Sequence, residues 1–422
     1  MGTRDKQVVV VGAGAAGLVA AIFAARAGCR VVLIERTSDG GRKILISGGG
    51  RCNVLPQAIE PHRFVSESPA LVRRLLRSWP LAGQRVFFEQ ELRIPLKLEA
   101  EDRKYFPMSD RARDVRDALM SAARSAGVAI SFNTRMTSLE RRSSSWVVNT
   151  SHESLEVAAV ILATGGSSVP ATGSDGAMFD VVRAVGHTVH PTYPALTPLV
   201  AQPAPHASLS GVSLTVRIRA KWDTEMHGGY AEAQGGFLFT HRGYSGPAVL
   251  DVSHVAVRSR LAGERATLRV RWSDLDREEW LAAFQQHRGL VLSAVSRHLP
   301  SRLVERLLHD TEIPLDRKTT ELRRTERTAL VEALTSYELP WTGDEGYKKA
   351  EVTGGGVALD ELDPRTLESR VAPGLYLCGE ILDAFGPIGG HNFAWAWATG
   401  RLAGLAQQPA TNNQQPATDK FD

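Results

Sequence analysis

Residues 7–35 read QVVVVGAGAAGLVAAIFAARAGCRVVLIE. The valines Val8–Val11 predict a buried strand, Gly12, Gly14 and Gly17 a tight turn, and the alanine-rich run to Arg26 a helix that Gly28 stops. A second strand, Arg30–Glu35, completes a parallel β-α-β unit. The three glycines do different physical work. Gly12 lets the chain turn, Gly14 lets the backbone approach a pyrophosphate, and Gly17 lets helix and strand pack closely. The helix N-terminus adds positive potential for a phosphate. Glu35, about twenty residues beyond the glycines, is placed to grip a ribose diol, which favours FAD or NAD over NADP. Val8–Ala25 is also eighteen residues without a charge, long enough to raise a membrane helix. The abrupt change from valines to glycines favours strand, turn and helix instead.

The composition around this unit is that of an ordinary globular protein. Of 422 residues, 43% are apolar, 23% charged and 7% aromatic, which excludes collagen-like, mucin-like and coiled-coil classes. Cys29, Cys52 and Cys378 are too few for a disulfide scaffold and form no C-x-x-C pair, so no metal site and a reducing, cytoplasmic setting are expected. The net charge is only +4, and the excess of arginine over lysine reads as a coding bias. Mixed charge signs along EEWLAAFQQH (278–287) and TELRRTERTALVEAL (320–334) suit solvated helices. Neither nucleic acid nor membrane is therefore expected as a partner, and the oligomeric state is left open.

Further along, residues 110–127 carry a helical apolar pattern behind Ser109 as N-cap. Strands follow at Val128–Phe132, Trp146–Val148 and Val157–Ala163. Val212, Leu214, Val216, Ile218 and Trp222 alternate with polar residues, the period of a half-buried strand, and Leu268, Val270 and Trp272 repeat it. The expected fold class is α/β, a Rossmann-like dinucleotide-binding domain in two parts with an inserted antiparallel β-barrel-like domain and a small helical domain. Its parts are residues 1–192, the insert 193–273, a helical subdomain 274–342 returning to the barrel, the second part 343–405, and a disordered tail 406–422 that contains QQPAT twice.

Three further segments carry chemistry. GGRKILISGGGRCN (40–53) sets Arg42, Lys43 and Arg51 among glycine amides, an anion cradle next to the pyrophosphate and the ring of an extended dinucleotide. Cys52 lacks a resolving partner, so packing is a better reading for it than redox chemistry. VAAVILATGG (157–166) is a buried strand ending in Ala163, Thr164 and Gly165, small residues where a ligand approaches closely. GLYLCGEILDAFGPIGGHNFAWAWATG (374–400) offers Gly379, Glu380 and Asp383, then Gly389 and Gly390 opening a helix whose N-terminus can face the negative pyrimidine side of a flavin. Phe393, Trp395 and Trp397 read better as core filling than as a stacking box.

In sequence order, GAGAAGLVAA, GRKILISGGGRCNV, YFPMSDRARDVRDAL, LATGGSSVPATGSDGAMFD, LFTHRGYSGPAVLDVS, VTGGGV and GLYLCGEILD resemble bacterial FAD-dependent oxidoreductases of the BaiN-like and aminoacetone-oxidase-like family. The likeness spans most of the chain. It implies a two-part FAD domain, with Gly12, Gly14, Gly17, Glu35, Lys43, Arg51, Asn53, Thr164, Gly165, Gly379, Glu380 and Asn392 touching FAD. Ala15, Ala16, Arg36, Arg42, Ser47, Gly48, Gly49, Cys52, Met136, Ala163, Asp383, Gly389, Gly390 and Phe393 complete the expected cofactor set. Many relatives carry G-G-Y-N-L-Q where this chain has Gly389, Gly390, His391, Asn392, Phe393 and Ala394, so chemistry beside the ring is open to change. His391 is a candidate proton donor, weighed against a backbone-bonded histidine at a helix start. The THRGYSGP loop (240–247) resembles a family element that nears the cofactor, making His241, with Tyr244 or Ser245, a candidate for substrate contact.

These residues predict a two-electron flavoenzyme in which the cofactor supplies the hard chemistry. A second strand-GxGxxG-helix unit is not visible, so NADH or NADPH is expected only as a transient electron donor. Reduction of an activated C=C in a small organic substrate is the first expectation. The alternatives are an amine oxidase that makes hydrogen peroxide and a flavin-bound RNA-modification or regulatory protein.

Overall fold

The computed structural model describes residues 6–100, 103–224 and 229–408. The chain forms two units, Met1–Thr192 with Gly355–Asp422, and Tyr193–Gly354. In the first, five parallel strands lie in the order Leu375–Leu377, Ala159–Leu162, Gln7–Val11, Arg30–Ile34 and Ala129–Ser131. Val8, Val9 and Val10 are fully buried, as a strand covered on both faces requires. The first helix, Ala15–Arg26, packs against the last, His391–Leu405, along a seam of small residues. A Cβ on Gly400 would fall 2.4 Å from the Ala16 carbonyl oxygen, and one on Gly404 2.5 Å from that of Ala20. Only glycine lets the two backbones come this close.

Helix Ala112–Ser125 is capped by Arg111 without a side-chain bond, so Ser109 is not its N-cap. Asp110 takes a left-handed turn (φ +54) that moves the start of the helix beyond reach of Ser109. The strand expected at 157–163 is split: Ser154–Val157 belongs to a small antiparallel sheet, and Ala159–Leu162 to the parallel one.

In the second unit, seven antiparallel strands run Tyr337–Glu338, Thr267–Arg271, Ser213–Lys221, Tyr230–Phe239, Gly243–Ser245, Leu199–Val200 and Gly343–Asp344. The period-two reading holds in Ser213–Lys221, where Val216, Ile218 and Ala220 are buried while Arg219 and Lys221 are exposed. The expected barrel does not close among the described residues. Both edge strands are two residues long, too short to ladder together, and the sheet stays open. Helix Pro247–Leu261 packs on the two long central strands. The helices expected over 274–342 share the sheet's core, with Trp280, Leu303 and Val331 in one apolar cluster with Trp272. Gly343–Asp344 pairs with Leu199–Val200, which keeps the chain in this unit until Gly354.

No helix among the described residues is long and apolar enough to cross a membrane. Of the tail expected at 406–422, Gln407 is fully buried and its carbonyl accepts the Cys29 thiol at 3.2 Å. Residues 409–422 lie outside the described residues.

Candidate functional site

The site is built where the parallel strands end. Gly12 takes a left-handed turn (φ +100) directly after the first strand, and a Cβ there would lie 2.6 Å from the Ala163 carbonyl. A Cβ on Gly17 would lie 1.9 Å from the Gly12 carbonyl, so helix and turn touch. Gly14 has no atom within 4 Å of a notional Cβ, which leaves open the point where a phosphate would meet the helix N-terminus and Ala15 and Ala16.

Glu35 is 9% exposed and tied to its surroundings. Its Oε2 accepts the Ala13 N–H at 2.8 Å and its Oε1 accepts both the Thr37 N–H and hydroxyl at 2.8 Å. A carboxylate has about four lone-pair sites, so capacity for a ribose hydroxyl remains. The neighbouring Arg36 pairs with Asp175 at 2.5 Å. Met136 is buried in a strand of the adjoining sheet, and its side chain packs in the core.

Each cation of the anion cradle expected over residues 40–53 has a carboxylate partner. Arg42 pairs with Asp39 at 2.6 Å, Lys43 with Glu380 at 2.6 Å, and Arg51 with Glu99 at 2.7 Å while lying 4.0 Å over the Phe106 ring. The backbone of the same segment also offers room to an anion. Gly48 (φ +56) and Gly49 (φ +67) turn left-handed after Ser47, whose hydroxyl is held by the Ile44 carbonyl at 2.8 Å. No atom lies within 4 Å of a notional Cβ on Gly49. Burial pushes the Cys52 thiol up to about 12, which leaves it a packing group.

Lys43, Glu380 and Ser168 bring three distant segments together. The Lys43 ammonium donates to Glu380 Oε2 and to Ser168 Oγ at 2.6 Å each, and Ser168 Oγ donates to Glu380 Oε1 at 2.5 Å. Sequence reasoning missed Ser168, although it sits inside the LATGGSS stretch. Beside it, Ala163 is buried, Gly165 turns left-handed (φ +73), and Thr164 Oγ1 is a buried hydroxyl with no partner. Asn53 Oδ1 is likewise buried and unpartnered.

At the other end, Gly379 (φ +82) donates its N–H to Thr399 Oγ1 at 3.0 Å. Asp383 is buried and accepts the Glu67 N–H at 2.9 Å. Desolvation raises its carboxyl above the ordinary value. Gly389 and Gly390 both turn left-handed into the last helix. Asn392, expected at the cofactor, clamps its own loop, accepting the Gly386 N–H and donating to the Gly386 carbonyl at 2.9 Å each. Phe393 stacks on Trp397 with centroids 5.3 Å apart, a packing role.

His391 is 8% exposed, and Nδ1 lies 3.2 Å from the Ile388 carbonyl. Backbone hydrogen bonds with Ile388 and Ala58 hold the ring in place. Burial, joined by the Arg63 charge, pulls the ring down to about 4. The structure thus shows a backbone-bonded, buried histidine at the helix start, one of the two readings of the sequence. His241 is exposed in the second unit. Tyr244, in the same loop, is fully buried with its hydroxyl 2.8 Å from His206 Nδ1, so it belongs to that unit's core and lines no substrate surface.

Buried polar atoms without partners are rare in folded proteins, and here Thr164 Oγ1 and Asn53 Oδ1 accompany the open amides at Gly14 and Gly49. Those features fit a long dinucleotide laid over the strand ends, and the protein falls in the class of FAD-dependent oxidoreductases. The model of the HI0933-like protein Rossmann domain matches residues 6–406. The chain is 32% identical to the 3-dehydro-bile acid delta(4,6)-reductase of Clostridium scindens over 95% of its own length and 98% of that protein. It is also 32% identical to the ribosomal RNA dihydrouridine synthase of Escherichia coli (93% and 95% covered), and 30% identical to that of Haemophilus influenzae (94% and 97%). The chain belongs to the HI0933-like Rossmann family. The exclusion of nucleic acid drawn from net charge loses its ground, since two of these relatives are named for work on RNA.

Proposed function

We propose that this protein reduces a carbon–carbon double bond conjugated to a carbonyl, drawing electrons from NADH or NADPH through FAD. One observation carries the reading: relatives are named as a reductase of a dehydro-bile acid and as a synthase of dihydrouridine in RNA. A dehydro-steroid ketone and a uracil ring each offer a C=C polarised by a carbonyl. Bound FAD would supply two-electron hydride chemistry there. The chain's own part is to bind and orient. The Gly12–Gly17 turn and its helix would hold the pyrophosphate, Glu35 the ribose, and Thr164 Oγ1 and Asn53 Oδ1 would find their missing partners on the cofactor. The N-terminus of the last helix, entered through Gly389 and Gly390, would set positive potential beside the ring.

A small organic substrate is the first reading. The same reduction on uridine in RNA is the second, favoured by the two RNA-named relatives. Anaerobic NADH or NADPH should bleach the purified flavoprotein, and an added enone should restore its colour with gain of two hydrogens in the product. Bleaching by neither nucleotide, together with peroxide formation from an amine, would overturn the reading. If nucleotide bleaches the flavin and only RNA reoxidises it, the second reading takes over.

A further inference from the structure

The segment Gly166–Gly176 leaves the end of strand Ala159–Leu162 and returns on itself. The Gly166 carbonyl accepts both the Gly176 N–H at 2.9 Å and the Ser174 hydroxyl at 2.9 Å, so the two ends meet as in an Ω-loop. Two side chains tie its body to opposite ends of the site. Ser168, fully buried, is bonded to Lys43 and Glu380, while Asp175 pairs with Arg36 at 2.5 Å. Between them Gly173 faces the acidic end, where a Cβ would lie 3.1 Å from Thr37 Cγ2 and 3.7 Å from Glu35 Oε1. The loop therefore reaches from the ribose-gripping carboxylate to the Lys43–Glu380 pair. Within it Val169 is held left-handed (φ +49), costly for a β-branched residue. Strain of this kind persists where surrounding structure over-determines it, and it gathers at ligand clamps.

We infer that Gly166–Gly176 is a strap across the dinucleotide groove, fastened by Ser168 and Asp175, that sets how fast FAD enters and leaves. The inference rests on the FAD reading above. A strap differs from an ordinary contact in its kinetics. Loosening it speeds entry and exit together, whereas losing a contact speeds exit alone.

The test uses the whole protein. FAD release from the holoprotein is followed by the rise of flavin fluorescence on dilution, and rebinding to apoprotein by stopped flow. D175N, at an exposed site, should speed both rates about two- to fivefold, the factor set by an ion pair of up to ~1 kcal/mol. S168A/D175N should speed both about tenfold, and D175E should return the rates toward wild type. Faster release with unchanged rebinding would make Ser168 and Asp175 plain contacts and overturn the strap. Unchanged rates in variants that still hold FAD would overturn it too. Wild-type protein that takes up no FAD would instead sink the cofactor reading beneath it.

Discussion

Acid should unfold the second unit through two histidines that fold uncharged. His206 is 4% exposed, with Nδ1 2.8 Å from the Tyr244 hydroxyl and Nε2 2.9 Å from that of Tyr337. Burial, with the Arg306 charge behind it, pulls its pKa down to about 4. His254, also 4% exposed, is pulled down to about 4 by burial and then by Arg258. In the unfolded chain both return to about 6.5. Because the folded values are the lower ones, the unfolded state binds the protons as pH falls. Stability is whole above about pH 6.5, declines below it, and levels off near pH 4. At pH 5 each site costs about 2 kcal/mol at 1.36 kcal/mol per unit, and the pair costs about 4. That is a large share of a typical 5–15 kcal/mol. Urea unfolding at pH 7 and pH 5 measures the loss, and NMR titration of the imidazole ring protons reports each histidine. Carboxylates also titrate in this range, so the decisive quantity is a difference. In H206N the loss between pH 7 and pH 5 should shrink by about 2 kcal/mol, whatever the variant's absolute stability. An undiminished loss, or a His206 midpoint near 6.5, would refute the reasoning.

Other outcomes follow from the first unit. Gly400→Val puts side-chain atoms where backbone already lies 2.4 Å from a Cβ, so it should cost at least ~1–3 kcal/mol and lower the melting temperature, as calorimetry would show. Thr164→Val and Asn53→Leu remove the unpartnered acceptors, and each should weaken FAD binding by about 0.5–1.5 kcal/mol without lowering the apoprotein's stability, read by flavin titration. All three cysteines are buried with raised thiol pKa values, so native protein at pH 8 should resist a thiol reagent that labels all three in urea.

The first β-α-β unit is legible because its signals are local: valines, a glycine turn and a terminating glycine, all between Gln7 and Glu35. The buried strand ending at Leu162 shows in the sequence for the same reason, although its split from Ser154–Val157 does not. The salt partners are invisible because they come from far away. Lys43 meets Glu380 across 337 positions, and Arg51 meets Glu99 across 48, so a sequence shows cations without showing that they are neutralised. Alternation along Ser213–Lys221 identifies a strand with one buried face, but says nothing of whether the outermost strands meet, hence the barrel that proved open. Net charge is a weak guide to an RNA partner because it sums over the molecule, whereas recognition depends on where the charges lie.

The seam at Gly400 and Gly404 also bears on how this protein is born. Its two sides are the first and last helices, and about 370 positions separate Glu35 from Leu405. At roughly 5–20 residues per second, a ribosome needs tens of seconds to span them. Through that interval the first helix, Ala15–Arg26, has no final helix to pack along it, and its seam of small residues lies open to the cell. Chaperone protection during synthesis is the natural remedy, and a transcript cut short before His391 would yield a product fit only for the proteases.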